Sequence, residues 1–190
     1  MRPFITFQRF MEQDWDTCLD IGSGDGVFAQ QMRDNGRKVI EIDQAPRDSS
    51  VLPYKYEECM FDDDIQAVWC SHVLEHAFNV NQFLTKICMD LNDNGWLAIT
   101  VPPMKHAIVG GHLTVWNAGL LLYNLVVAGF NCRNAVIKTY DYNVSVIVRK
   151  DRITLPTLKY DNGDIEKLAE FFPPGLAKQG FNGDIKEMNW

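Results

Sequence analysis

The stretch Thr17-Cys18-Leu19-Asp20-Ile21-Gly22-Ser23-Gly24-Asp25-Gly26 decides the fold. It begins as a short, mostly apolar run of strand length and ends in three alternate glycines, after which Val27-Phe28-Ala29-Gln30-Gln31-Met32-Arg33 reads as a helix. The order is strand, tight turn, helix N-terminus. Glycine is demanded where the backbone takes a positive φ or lies directly against a ligand, so three of them at a strand end mark a binding surface. A dinucleotide-binding G-x-G-x-x-G would place its third glycine at Val27 instead of Gly26, so that fingerprint fits poorly.

Working outward, Lys38-Val39-Ile40-Glu41-Ile42-Asp43 is a second strand ending in a carboxylate. It lies about twenty residues past the glycines, where a Rossmann-type unit holds its ribose-binding acid. A turn with no ligand is hard to reconcile with three glycines plus Asp43. The pattern predicts a nucleoside site, and on the glycines alone a nicotinamide-binding protein remains an alternative.

With these residues in place, Asp20-Ile21-Gly22-Ser23-Gly24-Asp25-Gly26 is similar to the first motif of the class I S-adenosylmethionine-dependent methyltransferases, and Glu41-Ile42-Asp43 resembles their acidic second strand. Ala67-Val68-Trp69-Cys70-Ser71-His72-Val73-Leu74-Glu75-His76 resembles the segment after the fourth strand in the ubiquinone-biosynthesis-like branch. Asn94-Gly95-Trp96-Leu97-Ala98-Ile99-Thr100-Val101-Pro102-Pro103 resembles its fifth strand. The likeness covers roughly residues 16–150. It implies a doubly wound α/β fold with a mostly parallel seven-stranded sheet, an antiparallel C-terminal hairpin strand, and S-adenosylmethionine as cofactor. It implies cofactor contacts from Asp20, Gly22, Ser23, Gly24, Asp25 and Gly26, from Asp43 and Gln44, and from Ser71 and His72 at the end of the fourth strand. Asp20 is expected to hold the methionine amino end. A binding module of the same fold without catalysis is the alternative.

At 190 residues and 46% hydrophobic content the chain has enough apolar surface for one full core and too little length for a second substrate domain of usual size. The organisation expected is a transferase domain over residues 1–150 and a C-terminal tail, 151–190, packing on or near it. A net charge of −7 argues against a phosphate-tracking surface, so nucleic acid is not an expected partner; a small molecule, sugar or glycan is. Five cysteines without C-x-x-C spacing suggest neither disulfides nor zinc. With no signal-like apolar run and none near about 18 uninterrupted apolar residues, the expectation is a soluble, cytoplasmic protein.

Phe4, Phe7, Phe10 and Met11 are spaced for a short amphipathic helix, docked on the sheet or closing over the cofactor. Gln44-Ala45-Pro46-Arg47-Asp48-Ser49-Ser50 reads as a loop where many relatives have a helix, and Val51-Leu52-Pro53-Tyr54-Lys55-Tyr56 as an edge strand confined by its proline. The adenine-contacting acid stays open among Glu57, Glu58 and Asp62. Phe61-Asp62-Asp63-Asp64 reads as a solvated turn. Asn79 is placed to cap a helix carrying Val80, Phe83, Leu84, Ile87, Cys88 and Leu91. A helix over 116–128, a hairpin over 135–148 and a tail helix over 165–172 complete the expectation.

His72-Val73-Leu74-Glu75-His76 also matches H-x-x-E-H, the inverted zinc-protease pattern. That motif belongs inside a long helix with a third ligand downstream, whereas here it follows a strand behind a nucleoside-binding unit, so no metal is expected. His106 and His112 flank Gly110-Gly111 in the loop after the fifth strand, on the side where sheet topology admits an acceptor. Either is a candidate base, because histidine titrates near neutral pH, and Trp116 beyond them is either a pocket wall or a core residue at the helix start.

Overall fold

The computed structural model of the protein describes residues 2–46, 49–62 and 64–190. Seven strands, β1 (Thr17–Ile21), β2 (Lys38–Ile42), β3 (Ala67–Ser71), β4 (Trp96–Val101), β5 (Val136–Tyr140), β6 (Asn143–Arg149) and β7 (Glu187–Met188), form one sheet in the order β2-β1-β3-β4-β6-β5-β7. The first four are parallel, and β6, β5 and β7 join by antiparallel pairing. Parallel strands need covered crossovers, and both faces are covered.

Alternate residues along the strands enter two separate cores. Cys18, Ala67, Trp69, Ala98 and Ile147 face α1 (Phe4–Met11) and α2 (Val27–Asp34). Leu19, Ile21, Val68, Cys70, Leu97 and Ile99 face α3 (Val80–Asp90) and α4 (Ala118–Val127). The central strands are therefore apolar on both sides. Asn79 caps α3 as its type suggests, its side chain accepting from the Gln82 amide at 3.1 Å. In α1, Phe10 stacks on Trp15 and Phe7 meets Trp69 edge-on, so this helix is docked. Its leading residues still reach the glycine turn, where Arg2 pairs with Asp25.

The structure corrects the expected strand at 51–56. Only Leu52 pairs with the edge of β2, through Asp43 N–H to Leu52 O and Leu52 N–H to Glu41 O, both 3.1 Å. Pro53 follows without an N–H to extend the ladder, and the chain turns into a 3₁₀ segment, Tyr56–Glu58. The seventh strand is supplied by the chain's end, at β7. The loop reading at 44–50 and the acidic run fall partly on Arg47, Asp48 and Asp63, which lie outside the described residues. Asp64 is not merely solvated: its carboxylate accepts from the Gln66 side chain at 2.9 Å and from that of Asn92.

Trp116 precedes α4 instead of opening it. Asn117 is the cap, accepting from the Leu120 amide at 2.8 Å, and Trp116 is buried in the core with its indole N–H on the Thr114 hydroxyl. In the tail the expected helix is shortened to α5 (Asp164–Lys167) and a 3₁₀ turn, Ala169–Phe171. Asp164 explains the start, because its carboxylate gathers the amides of Lys159, Tyr160 and Asp161 and the Lys167 ammonium. The Lys167 pairing and those amide bonds hold its carboxyl below the usual carboxylate range. Among the described residues no helix is long and apolar enough to cross a membrane.

Leu168 and Phe172 from the tail are buried with α4 side chains, and Phe172 stacks on Tyr123. Phe172→Ala is expected to lower stability by about 3–5 kcal/mol, as for other large-to-small aromatic truncations, within a single cooperative denaturation. Urea unfolding followed by both fluorescence and circular dichroism tests this; a separate early transition with the main one unmoved would mean the tail folds apart from the sheet.

Candidate functional site

The glycine turn is hung from the second strand. The amides of Gly22 and Ser23 both donate to Ile42 O, at 2.8 and 3.3 Å, and the Gly24 amide donates to Asp43 Oδ2 at 2.9 Å. The other oxygen of Asp43 accepts from the Ala45 amide at 2.8 Å. One carboxylate thus ties the ends of β1 and β2 together. Gly22 and Gly24 adopt φ of 72° and 59°, but their surroundings differ. A Cβ on Gly22 would lie 2.3 Å from Val73 Cγ2, whereas one on Gly24 would meet nothing within 4 Å. Gly22 is a packing requirement, and Gly24 faces open space.

A cleft of about 570 Å³ runs from Gly22 past Asp43 and Gln44 to Tyr54 and Glu57, and His72 and His76 also line it. Of the three acids left open for adenine, Glu57 is the one that lines it. A smaller cavity of about 210 Å³ continues beneath Arg2 and Pro3, lined by Asp20, Ser23, Asp25 and Ser71. Gly22 and His72 border both.

Asp20 and Ser23 each carry a buried oxygen without a hydrogen-bond partner, Asp20 Oδ2 and Ser23 Oγ. Burial pushes the Asp20 carboxyl well above its ordinary value, helped by Glu41 and Asp43 and opposed by Arg33. Arg33 is engaged elsewhere, pairing with Glu41 at 2.6 Å. A buried acid with an unpartnered oxygen on this cavity is suited to a ligand cation.

At the end of β3, His72 takes φ 57°, with its amide on Thr100 O. Its Nε2 lies 2.9 Å from Asn143 Oδ1, and its Nδ1 lies 3.4 Å from Glu75 Oε1. Burial works to lower this imidazole's pKa, but the Glu75 and Asn143 contacts outweigh it and raise the pKa above the ordinary value. The 3₁₀ turn Leu74–His76 then brings Glu75 inward, 1% exposed, and His76 to the cleft wall.

Asp20, Gly22, Ser23, Asp25, Asp43, Gln44, Ser71 and His72 all line these cavities, with Gly24 and Gly26 in the turn between. The two loop histidines separate. His112 rests edge-on against His76, ring centres 5.1 Å apart, and lines a separate cavity of about 60 Å³ with Tyr142, while His106 is exposed; neither lines the cleft or the cavity beneath Arg2. Glu75, His76 and Asn143 carry more of the geometry than the sequence suggested. For Glu75 and His76 the H-x-x-E-H pattern was a signal whose meaning depended on a loop some 35 residues away, and Asn143 had none.

The model of a methyltransferase domain family matches residues 2–124. No curated protein matches. Among solved structures, a SAM-dependent methyltransferase from Archaeoglobus fulgidus superimposes with TM-score 0.65 at 16% identity, over 79% of this chain and 95% of that one. The 1,6-didemethyltoxoflavin-N1-methyltransferase of Burkholderia thailandensis, solved with its substrate and S-adenosylhomocysteine, gives 0.63 at 15%, over 77% and 75%. A SAM-dependent methyltransferase from Aquifex aeolicus gives 0.60 at 16%, over 78% and 89%.

The contrast between the two glycines is measurable. Both alanine variants carry left-handed strain of about 1–2 kcal/mol, but Gly22→Ala adds the collision with Val73. Urea denaturation is expected to show a larger stability loss for Gly22→Ala than for Gly24→Ala; equal losses would mean that Val73 yields freely and the turn is not packed as described.

Proposed function

We propose, for a chain that belongs to the methyltransferase domain family and takes S-adenosylmethionine as its cofactor, that it methylates an oxygen or nitrogen of a small molecule, sugar or glycan entering beside His76. Family membership removes the nicotinamide alternative. The observation that carries the reading is the buried Asp20 carboxyl, its Oδ2 without a partner, in the cavity that it lines with Gly22 and Ser23. When bound, the cofactor supplies an activated methyl carbon, so the protein's task is chiefly to hold donor and acceptor in line.

The residues present fit that cofactor. Asp20 takes the amino group of the methionine end, Gly22 to Gly26 lie along the methionine and ribose, and Asp43 with Gln44 receives the ribose hydroxyls. Asp43 does this while holding the Gly24 amide, so it shapes the turn as well as binding. Ser71 and His72 border the adenosine and sulfonium region, and Glu57 stands at the far end. Of the two histidines expected as base, His112 belongs to the acceptor wall through its contact with His76; His106, exposed, does not. Residues 1–150 carry this chemistry, with 151–190 supporting the sheet behind it. The net charge of −7 and the likeness to a methyltransferase solved with 1,6-didemethyltoxoflavin support a small acceptor over nucleic acid.

Transfer from a labelled methyl donor to panels of hydroxylated and amino small molecules, sugars and glycans tests the acceptor class. Labelling of polynucleotides alone would overturn it.

Asp20 gives the binding half a sharper test. Its carboxyl titrates above the ordinary range, so on raising pH through that elevated pKa the ionised form accumulates and affinity for the ammonium of S-adenosylhomocysteine should rise. Acid should weaken binding. Asp20→Asn is expected to lower affinity at neutral pH by about 10- to 100-fold, the range for losing a hydrogen bond to a charged group, and to flatten the pH dependence. The same raised pKa means that the ligand-free fold loses stability as pH climbs through it, so Asp20→Asn should unfold at a higher temperature there. Calorimetric titration at several pH values measures the first; unchanged affinity in a folded variant would remove Asp20 from the site.

A further inference from the structure

Glu75 is buried, and its Oε2 has no partner. The remaining oxygen faces two imidazoles at distances that are long for hydrogen bonds, 3.4 Å to His72 Nδ1 and 3.9 Å to His76 Nε2. Leaving a carboxylate buried and half-satisfied is costly unless something further binds it.

The tautomer of His76 indicates what that is. Its Nδ1 lies 2.8 Å from Gly111 O, a carbonyl that can only accept, so Nδ1 carries the proton and, in the neutral ring, Nε2 presents a lone pair. That nitrogen lies 3.9 Å from the carboxylate, too far for a direct hydrogen bond. Two acceptors this close are reconciled by a proton or by a metal cation between them, and the separation leaves room for the metal. A backbone carbonyl on the far nitrogen of an imidazole is also the arrangement that orients histidines as metal ligands.

The loop supplies a third group. The Leu113 and Thr114 amides donate to Glu75 O at 2.7 and 3.3 Å, which holds His112 over the 3₁₀ turn. One ligand atom each from Glu75, His76 and His112 then lies within 4.8 Å of the others. Ligands about 2.0–2.2 Å from a shared ion sit somewhat closer than that, so the His112 side chain needs only a small inward shift.

We propose that Glu75, His76 and His112 form a site for one divalent transition cation. Two imidazoles and a carboxylate suit ions of the zinc and manganese class better than magnesium or calcium, which prefer all-oxygen sets. The sequence context that argued against a metalloprotease stands, since the motif is not in a long helix, but the third ligand comes from the loop after β4. Three protein ligands leave coordination positions open, and His76 puts the ion at the cleft wall. Resting on the methyl-transfer reading, an acceptor hydroxyl taking one such position would lose its proton more readily, which favours oxygen acceptors.

The test needs no acceptor. Chelator-treated protein is titrated with Zn²⁺, Mn²⁺ and Mg²⁺ by calorimetry, and with Co²⁺ by visible absorption, whose bands report nitrogen ligation. One equivalent of Zn²⁺ or Mn²⁺ should bind, with Mg²⁺ much weaker. His76→Ala and His112→Ala should each weaken it by about a hundredfold or more, as expected when one of three protein ligands goes. His106→Ala, in the same loop but exposed, should bind as the parent does. Affinity for S-adenosylhomocysteine is measured on the same samples, so a failure of the metal site is distinguished from a failure of the cofactor cleft. No stoichiometric binding, or equal losses from His106→Ala and His112→Ala, overturns the proposal.

Discussion

The hydrogen bond from the Gly24 amide to Asp43 couples the ends of two parallel strands, and the site depends on it. Parallel neighbours have no hairpin to set their relative ends, so their register rests on ladder bonds and on contacts between the loops beyond them. Here the loop after β1 leans on the last carbonyl of β2 through Gly22 and Ser23, and on its terminal carboxylate through Gly24. The turn is thereby held between the two strand ends, with Gly22 on the cleft. Val73, from the loop after β3, fills the space behind Gly22, so three strand ends converge on one residue without a side chain.

This convergence accounts for what was legible in the sequence. β1, the glycine turn, α2 and β2 were readable because each depends on local signals: strand-length apolar runs, glycines where φ must be positive, a carboxylate at a strand end. β4 and the β5–β6 pair were readable from their apolar character and β-rich composition. The edge beyond β2 was misread, because the apolar residues at 51–56 resemble a strand while Pro53 allows only one residue to pair. β7 was invisible, being two residues long and set by where the tail returns to β5 instead of by any pattern of its own.

The site divided along the same line. Residues within or just beyond β1, β2 and β3 were identifiable from position alone, since open α/β sheets hold ligands at strand carboxyl ends. The histidines were not. Whether His106 or His112 approaches the cleft depends on how the loop folds back, and that is decided by two amides reaching the carbonyl of Glu75, a contact with no sequence signature. Trp116, read either as a pocket wall or as a core residue, proves to be the latter: its bridge to Pro103 draws it into the core before α4 begins.

Where the fold leaves polar atoms unsatisfied is itself informative. Among the described residues, five buried side-chain atoms lack partners, and four of them belong to Asp20, Ser23, Glu75 and Asn143; the fifth is Arg9 Nε. A folded chain satisfies nearly all such groups because each orphan costs about 1–3 kcal/mol, so a random scatter would place most of them away from any one cavity. Instead Asp20 and Ser23 line the cavity under the N-terminal arm, and Glu75 and Asn143 flank His72, which borders both cavities. The two acids differ in what they lack. Arg33, which opposes the shift at Asp20, is paired with Glu41, whereas Glu75 faces two imidazoles, His72 at 3.4 Å and His76 at 3.9 Å. Under the two proposals above, a ligand's cationic group would answer the first and a small cation the second, so the orphaned atoms mark two chemically distinct points of one surface.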